Sequence, residues 1–181
     1  MAAIAQQPWF QNVLAASGFA IRQQIVMLEW RYQPWAAREA EGIRIRKMEE
    51  SDLPEVERTD AESFDPLWHN ALETLRRAYS QALIGTVAED KHGIVGYQLS
   101  TGGRTHAHLA RLAVHPSVQG RGTGRALISD LLTRLTQSGI PKLTVNTQDD
   151  NFASLRLYQR MGFARTGEGY PVYTFDIPAN G

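Results

Sequence analysis

"RLAVHPSVQGRGTGRALISDLL", Arg111 to Leu132, joins an apolar strand to an amphipathic helix through a turn holding three glycines and two arginines. A join of this kind brings main chain close to something, because glycine has no Cβ to hold a ligand away and tolerates left-handed backbone. Two nucleotide motifs fail on it. A dinucleotide fingerprint needs Gly-x-Gly-x-x-Gly, but Arg125 stands where Gly120 and Gly122 call for the third glycine, and Leu127 where Gly122 and Gly124 do. The sequence holds no Gly-x-x-x-x-Gly-Lys-Ser/Thr either, so a nucleotide P-loop is also excluded. What is left is a run of amides from Gln119 to Gly124 at the positive end of a helix, with Arg121 and Arg125 beside it. That is a nest for a phosphate or pyrophosphate, the alternative being a glycine-rich turn with solvated arginines.

The pattern on either side says what carries this nest. Upstream, "IGTVAED", "GIVGYQLSTGG" and "THAHLARLAVH" are three strands parted by glycine or charged turns, an antiparallel meander. Before them come the half-buried strand "IRIRKM" and a helix entered at Ser51 or Asp52 with Pro54 in its first turn. A second helix over "DPLWHNALETLRRAYSQA" is expected to place Leu67, Ala71, Leu72, Leu75, Ala78 and Tyr79 on one face. Downstream, Leu127, Leu131, Leu132 and Leu135 mark a helix that stops at Gly139-Ile140-Pro141. The strand "KLTVNT" follows, then a helix capped by Asp150 or Asn151 and ended by Gly162, then two short strands around a glycine-containing turn. Such an order makes an α+β domain, a mixed and mostly antiparallel sheet flanked by helices.

Composition bounds the rest. A chain of 181 residues, 43% apolar and 9% aromatic, buries one good core with an appendage. Nineteen basic side chains against nineteen acidic ones leave no net field to recruit nucleic acid or an anionic membrane. The absence of cysteine excludes disulfides, thiolate metal sites and a cysteine nucleophile, and no metal is expected. No stretch reaches the roughly 18 apolar residues of a membrane span, and the first residues lack the form of a signal peptide, so a cytoplasmic protein is expected.

The residues Gln119-Gly120-Arg121-Gly122-Thr123-Gly124 resemble the Gln/Arg-x-x-Gly-x-Gly/Ala signature of the GNAT superfamily of acyl-CoA-dependent N-acetyltransferases. A second block, "NFASLRLYQRMGF" from Asn151 to Phe163, is similar to that superfamily's Asn-x-x-Ala-x-x-Leu-Tyr-x-x-x-Gly-Phe segment. The resemblance covers about Gly42 to Ile177 and implies a GNAT-like fold, acetyl-CoA as co-substrate and an amine as acceptor. It implies that the loop from Gln119 through Gly124 into Arg125 holds the pyrophosphate, that the main chain of Leu112, Ala113 and Val114 pairs with the pantetheine arm, and that Asn151 and Ser154 meet that arm. Tyr158 is implied as the acid that protonates the departing thiolate. Where several members carry a glutamate base, this chain has His108, with His106 expected on the same face, and Asn146 on the next strand. Histidine is competent at neutral pH and asparagine is not, so His108 is the candidate base, with a water chain to Glu62 or Asp65 as the alternative. His115 reads as a turn residue, and Trp68 and His69 as lining the cleft or packing in the second helix.

Residues 1–41 stand apart from the domain of residues 42–181 across a candidate linker, Pro34 to Gly42. Laying Gly18-Phe19-Ala20 over Gly162-Phe163-Ala164 aligns this segment without gaps with the end of the chain, so it resembles the last helix and strand pair of a preceding copy. Its apolar side chains, Trp9, Val13, Leu14, Ile25 and Trp30 among them, predict docking on the sheet edge of its own chain or of a second protomer in a homodimer. Three functions stay open: acetyl transfer to a primary amine through a ternary complex, a regulatory module that senses acyl-CoA without turnover, and a protein scaffold.

Overall fold

The computed structural model describes residues 2–5, 7–34 and 39–175, which leaves part of the candidate linker outside the described residues. In chain order the elements are β1 (Ala2–Ile4), α1 (Pro8–Ala16), β2 (Ala20–Arg31), β3 (Arg44–Lys47), α2 (Leu53–Ser63), α3 (Leu72–Ser80), β4 (Ile84–Asp90), β5 (Gly93–Gly102), β6 (Ala107–Val114), α4 (Thr123–Gln137), β7 (Lys142–Gln148), α5 (Phe152–Arg160) and β8 (Ala164–Thr174). They divide into two compact units, Trp30–Val145 and the pair Met1–Glu29 with Asn146–Gly181. Among the described residues no helix is long and apolar enough to cross a membrane.

In the larger unit β4, β5 and β6 form the expected antiparallel meander, β3 pairs antiparallel with β4, and Ala107–Leu109 of β6 pair in parallel with Leu143–Val145 of β7. The sheet is therefore mixed. Gly102 closes the β5–β6 turn at φ 136°, where a Cβ would stand 2.5 Å from the His106 carbonyl oxygen, so only glycine fits. Alternation sends Tyr97, Leu99 and Ala113 toward Leu53, Val56 and Leu75 of α2 and α3. Ala88 and Val95 instead pack with Leu127 of α4 and with Val118. Leu127, Leu131, Leu132 and Leu135 are fully sealed, at roughly 2 kcal/mol of burial each.

One irregularity shapes the site. Leu99 pairs with Arg111 but Ser100 pairs with Leu109, so β6 holds Ala110 as an extra residue. Simple alternation would set His108 and Arg111 on opposite faces. The bulge puts both on the face covered by α2.

The second helix begins later than its periodicity predicts, at Leu72, and Leu67 is exposed in a turn. Side chains of α2 hold this entry open: Asp60 Oδ1 accepts the Asn70 amide (2.6 Å) and Glu57 Oε1 accepts the Leu72 amide (3.0 Å). Ahead of α2, Glu49 and Asp52 cap one another around a short 3-10 turn, so neither Ser51 nor Asp52 caps the helix by its side chain.

In the smaller unit β8 pairs antiparallel with both β1 and β2. The two segments aligned from sequence end alike: Gly18 and Gly162 have φ 82° and 86°, and the Phe19 and Phe163 amides reach back to Leu14 and Tyr158 at 3.0 Å each. Each continues as one long strand, where two short strands around a turn are expected. The glycine-rich run of β8 bulges out of the ladder instead of turning, since Arg165 pairs with Leu28 and Gly169 with Val26 while the three residues between them have no register partner on β2. The bare Cα of Gly169 admits the Ile25 carbonyl, which a Cβ there would meet at 3.0 Å. Ala5, Leu14 and Tyr173 form the unit's core with Phe10 and Phe19. Trp9 and Val13 remain exposed, so this apolar segment is not wholly buried.

Candidate acyl-CoA site

The outer edge of β6 is open past the bulge. The Ala113 carbonyl oxygen lies 3.0 Å from the Cβ position of Gly96, and the His115 amide donates to Val95 (2.8 Å), so alternate residues commit their main-chain groups to β5. Those of Leu112 and Val114 point the other way, and there the ladder with β7 covers only Ala107–Leu109. Of the three residues expected to pair with a pantetheine arm, Ala113 is thus already committed to β5. Gln119 Nε2 donates to the Val114 carbonyl (2.9 Å) and ties the following loop to this edge.

That loop turns on Gly120 (φ 76°) and Gly122 (φ 94°). The first amide of α4 to find a helical partner is that of Ala126, on Gly122 (2.9 Å). Among the described residues the amides of Gly120, Gly122, Thr123, Gly124 and Arg125 have no acceptor, and no side chain caps the helix. Thr123 Oγ1 is buried without a partner among the described residues. A Cβ on Gly122 would stand 3.4 Å from Arg125 Nη2, so the guanidinium lies beside the bare glycine. Free amides, an orphaned hydroxyl and an adjacent cation suit a pyrophosphate, and an open strand edge suits an amide-bearing arm.

His108 is half-buried, with Nδ1 2.9 Å from Thr144 Oγ1. The Thr144 hydroxyl also has the Ala107 carbonyl oxygen at 3.4 Å, and we assign the imidazole proton to Nδ1, which leaves a lone pair on Nε2. Burial holds the His108 pKa below 6.5. His106 does not share this face, since it precedes β6 in an exposed turn. Asn146 is exposed on β7. Glu62 hydrogen-bonds His115 Nε2, and His115 Nδ1 accepts from the Ser117 amide (3.1 Å), so these two groups brace the turn into the loop.

A cluster that sequence reading missed lies on the same face. Asp60 is fully buried and accepts from Tyr97 Oη (2.5 Å) and from Arg111 Nε (2.7 Å) and Nη2 (2.8 Å). Arg111 Nη2 also donates to the Trp68 carbonyl (2.7 Å), and its guanidinium lies 3.6 Å from the Phe64 ring centre. Burial, then the Asp60 charge, pushes the Tyr97 phenol up, so it stays a donor. Its members are 37 and 51 residues apart along the chain, and no local pattern links them.

In the smaller unit Asn151 Oδ1 accepts the Ser154 amide (3.1 Å) and caps α5, leaving its amide nitrogen without a partner among the described residues. Tyr158, 4% exposed, packs against Phe163 with ring centres 5.5 Å apart. Its hydroxyl has no partner among the described residues, and burial raises its pKa, so the phenol is protonated at neutral pH.

The profile of the Acetyltransferase (GNAT) family matches residues 43–163. The chain belongs to this GNAT family. Among solved structures, the GNAT chain resembles a GCN5-related N-acetyltransferase from Sphaerobacter thermophilus with TM-score 0.75 and 18% identity, over 95% of this chain and 57% of that one. It resembles the ribosomal-protein-S18-alanine N-acetyltransferase from Escherichia coli with TM-score 0.65 and 20% identity, over 72% and 91% of the two chains. The PaiA N-acetyltransferase from Thermoplasma acidophilum, in complex with coenzyme A, gives TM-score 0.63 and 17% identity over 73% and 98%. At these identities the likeness is one of fold, and the GNAT chain spans little more than half the length of the Sphaerobacter protein. Acetyl-CoA-dependent N-acetylation is the general reaction of the family.

Proposed function

We propose that this GNAT chain transfers an acetyl group from acetyl-CoA directly to a primary amine within a ternary complex. The observation that carries the reading is one continuous run, the open edge at Leu112 and Val114 leading into five unbonded amides at the mouth of α4. The loop from Gln119 to Arg125 holds the pyrophosphate, the free amides of Gly120, Gly122, Thr123, Gly124 and Arg125 and the guanidinium groups of Arg121 and Arg125 meeting its oxygens, while the Gln119 and Arg121 amides are spent on Pro116 and Val118 inside the loop. Leu112 pairs with the pantetheine arm, as does the amide of Val114, whose carbonyl already accepts from Gln119 Nε2, and an outward amide of β6 stabilises the charge that develops on the carbonyl oxygen. Asn151 and Ser154 at the start of α5 hold the arm. Acetyl-CoA, when bound, supplies the activated thioester. His108 Nε2 takes a proton from the ammonium so that the neutral amine attacks the carbonyl carbon; as the C–S bond breaks Tyr158 gives its proton to the sulfur, and the second proton lost by the nitrogen restores the phenol.

Free-thiol release with glucosamine and an alanine-initiated peptide as probe amines tests this reading. Burial disfavours the imidazolium form of His108, so its base form persists to lower pH and the acid limb of kcat/KM lies below 6.5. His108→Gln removes that limb and lowers kcat roughly 100-fold. Coenzyme binding without thiol release on either amine replaces this reading with an acyl-CoA sensor, and a limb that survives His108→Gln removes the histidine from the mechanism.

A further inference from the structure

Asp60 and Arg111 hold more than each other. Asp60 accepts the Asn70 amide and Arg111 donates to the Trp68 carbonyl, so the pair takes up main-chain groups of the turn between α2 and α3. Phe64 at the start of that turn covers the guanidinium. The Ala110 bulge brings Arg111 onto the face that carries His108, so the turn is fastened beside the residue read as the base. The two charges neutralise one another, and Tyr97 supplies a further donor to the carboxylate. The arrangement therefore fixes a position without presenting charge to a substrate.

We propose that Asp60 and Arg111 are positioning residues for the acceptor amine, clamping the α2–α3 turn onto β6 as a preformed wall beside His108. The proposal rests on the acetyl-transfer reading of this face. A clamp of this kind acts on the capture of the amine and leaves coenzyme affinity unchanged. Bidentate geometry is the working feature, since Arg111 serves the carboxylate with Nε and Nη2 while Nη2 also serves Trp68. A lysine keeps the charge but not the fork.

The test compares wild type with Arg111→Lys, and with a double variant, Asp60→Leu with Arg111→Met, that removes the pair without stranding a buried charge. Hydrogen exchange is read at the Asn70 and Leu72 amides, acetyl-CoA affinity by calorimetry, and KM and kcat by thiol release with the same two probe amines. The clamp predicts exchange at Asn70 and Leu72 at least about 10-fold faster, amine KM raised at least about 10-fold, and unchanged acetyl-CoA affinity, while exchange in β5 stays as in wild type. Where Arg111→Lys does not fold, the double variant decides. Unchanged exchange with unchanged KM overturns the proposal, and so does a loss confined to coenzyme affinity. Wild type that turns over neither amine overturns the transfer reading and the acceptor role together, and is told apart from a failed clamp by exchange at Asn70 and Leu72 that still quickens in the variants.

Discussion

Glutamate in place of Gly122 weakens acetyl-CoA binding at least about 100-fold, the equivalent of roughly 2.7 kcal/mol. Three effects act together at this one position. Gly122 sits at φ 94°, a left-handed conformation that costs an L side chain on the order of 1 kcal/mol. Any Cβ there stands 3.4 Å from Arg125 Nη2 and fills space beside that guanidinium. A carboxylate then pairs with Arg125 and sets a negative charge where the coenzyme's own phosphates belong. Gly122→Ala carries the first two effects without the third, so it weakens binding less. The comparison of the two variants by calorimetric titration isolates the charge. Retained affinity in Gly122→Glu shows that the loop is not the pyrophosphate site.

Tyr158→Phe separates chemistry from structure at the other named group. The ring stays packed on Phe163 and the lost hydroxyl had no partner among the described residues, so thermal stability is unchanged. Acetyl-CoA affinity is unchanged as well. With no donor for the departing thiolate, kcat falls roughly 100- to 1,000-fold, the range of general acid catalysis. The raised pKa keeps the wild-type phenol protonated across the neutral range, so its loss as a donor sets no basic limb there. Full activity in Tyr158→Phe removes this residue from the mechanism, and a large loss of stability assigns it to the core.

Local signals made the meander, α4 and α5 legible. Four leucines at helical spacing, glycine stops and strands bounded by turn residues each belong to one short stretch, and the structure places those elements where the residues do. The glycine turn into α4 was legible for the same reason, since Gln119 to Gly124 are contiguous, whereas the sequence did not show that the Gln119 and Arg121 amides are spent on Pro116 and Val118. What sequence could not show depends on groups brought together from afar. The entry to α3 slips from Leu67 to Leu72 because Glu57 and Asp60 on another helix accept its amides. The side of β6 on which Arg111 lies is set by its register with β5, and the bulge at Ala110 has no glycine or proline to announce it. The glycine-rich run of β8 reads as a turn in isolation and becomes a bulge within a long strand because Arg165 and Gly169 on either side of it both pair with β2. The Asp60, Tyr97 and Arg111 cluster joins a helix and two strands, and the carboxylate at its centre looks in the sequence like any other acid on a polar helix.

The claim on which all of this depends is that the edge of β6 and the loop after it receive one coenzyme. Calorimetric titration of the intact chain with acetyl-CoA tests it most directly. The account predicts saturable binding at one site per chain with a dissociation constant in the micromolar range, about −8 kcal/mol. Absence of binding at millimolar acetyl-CoA contradicts it.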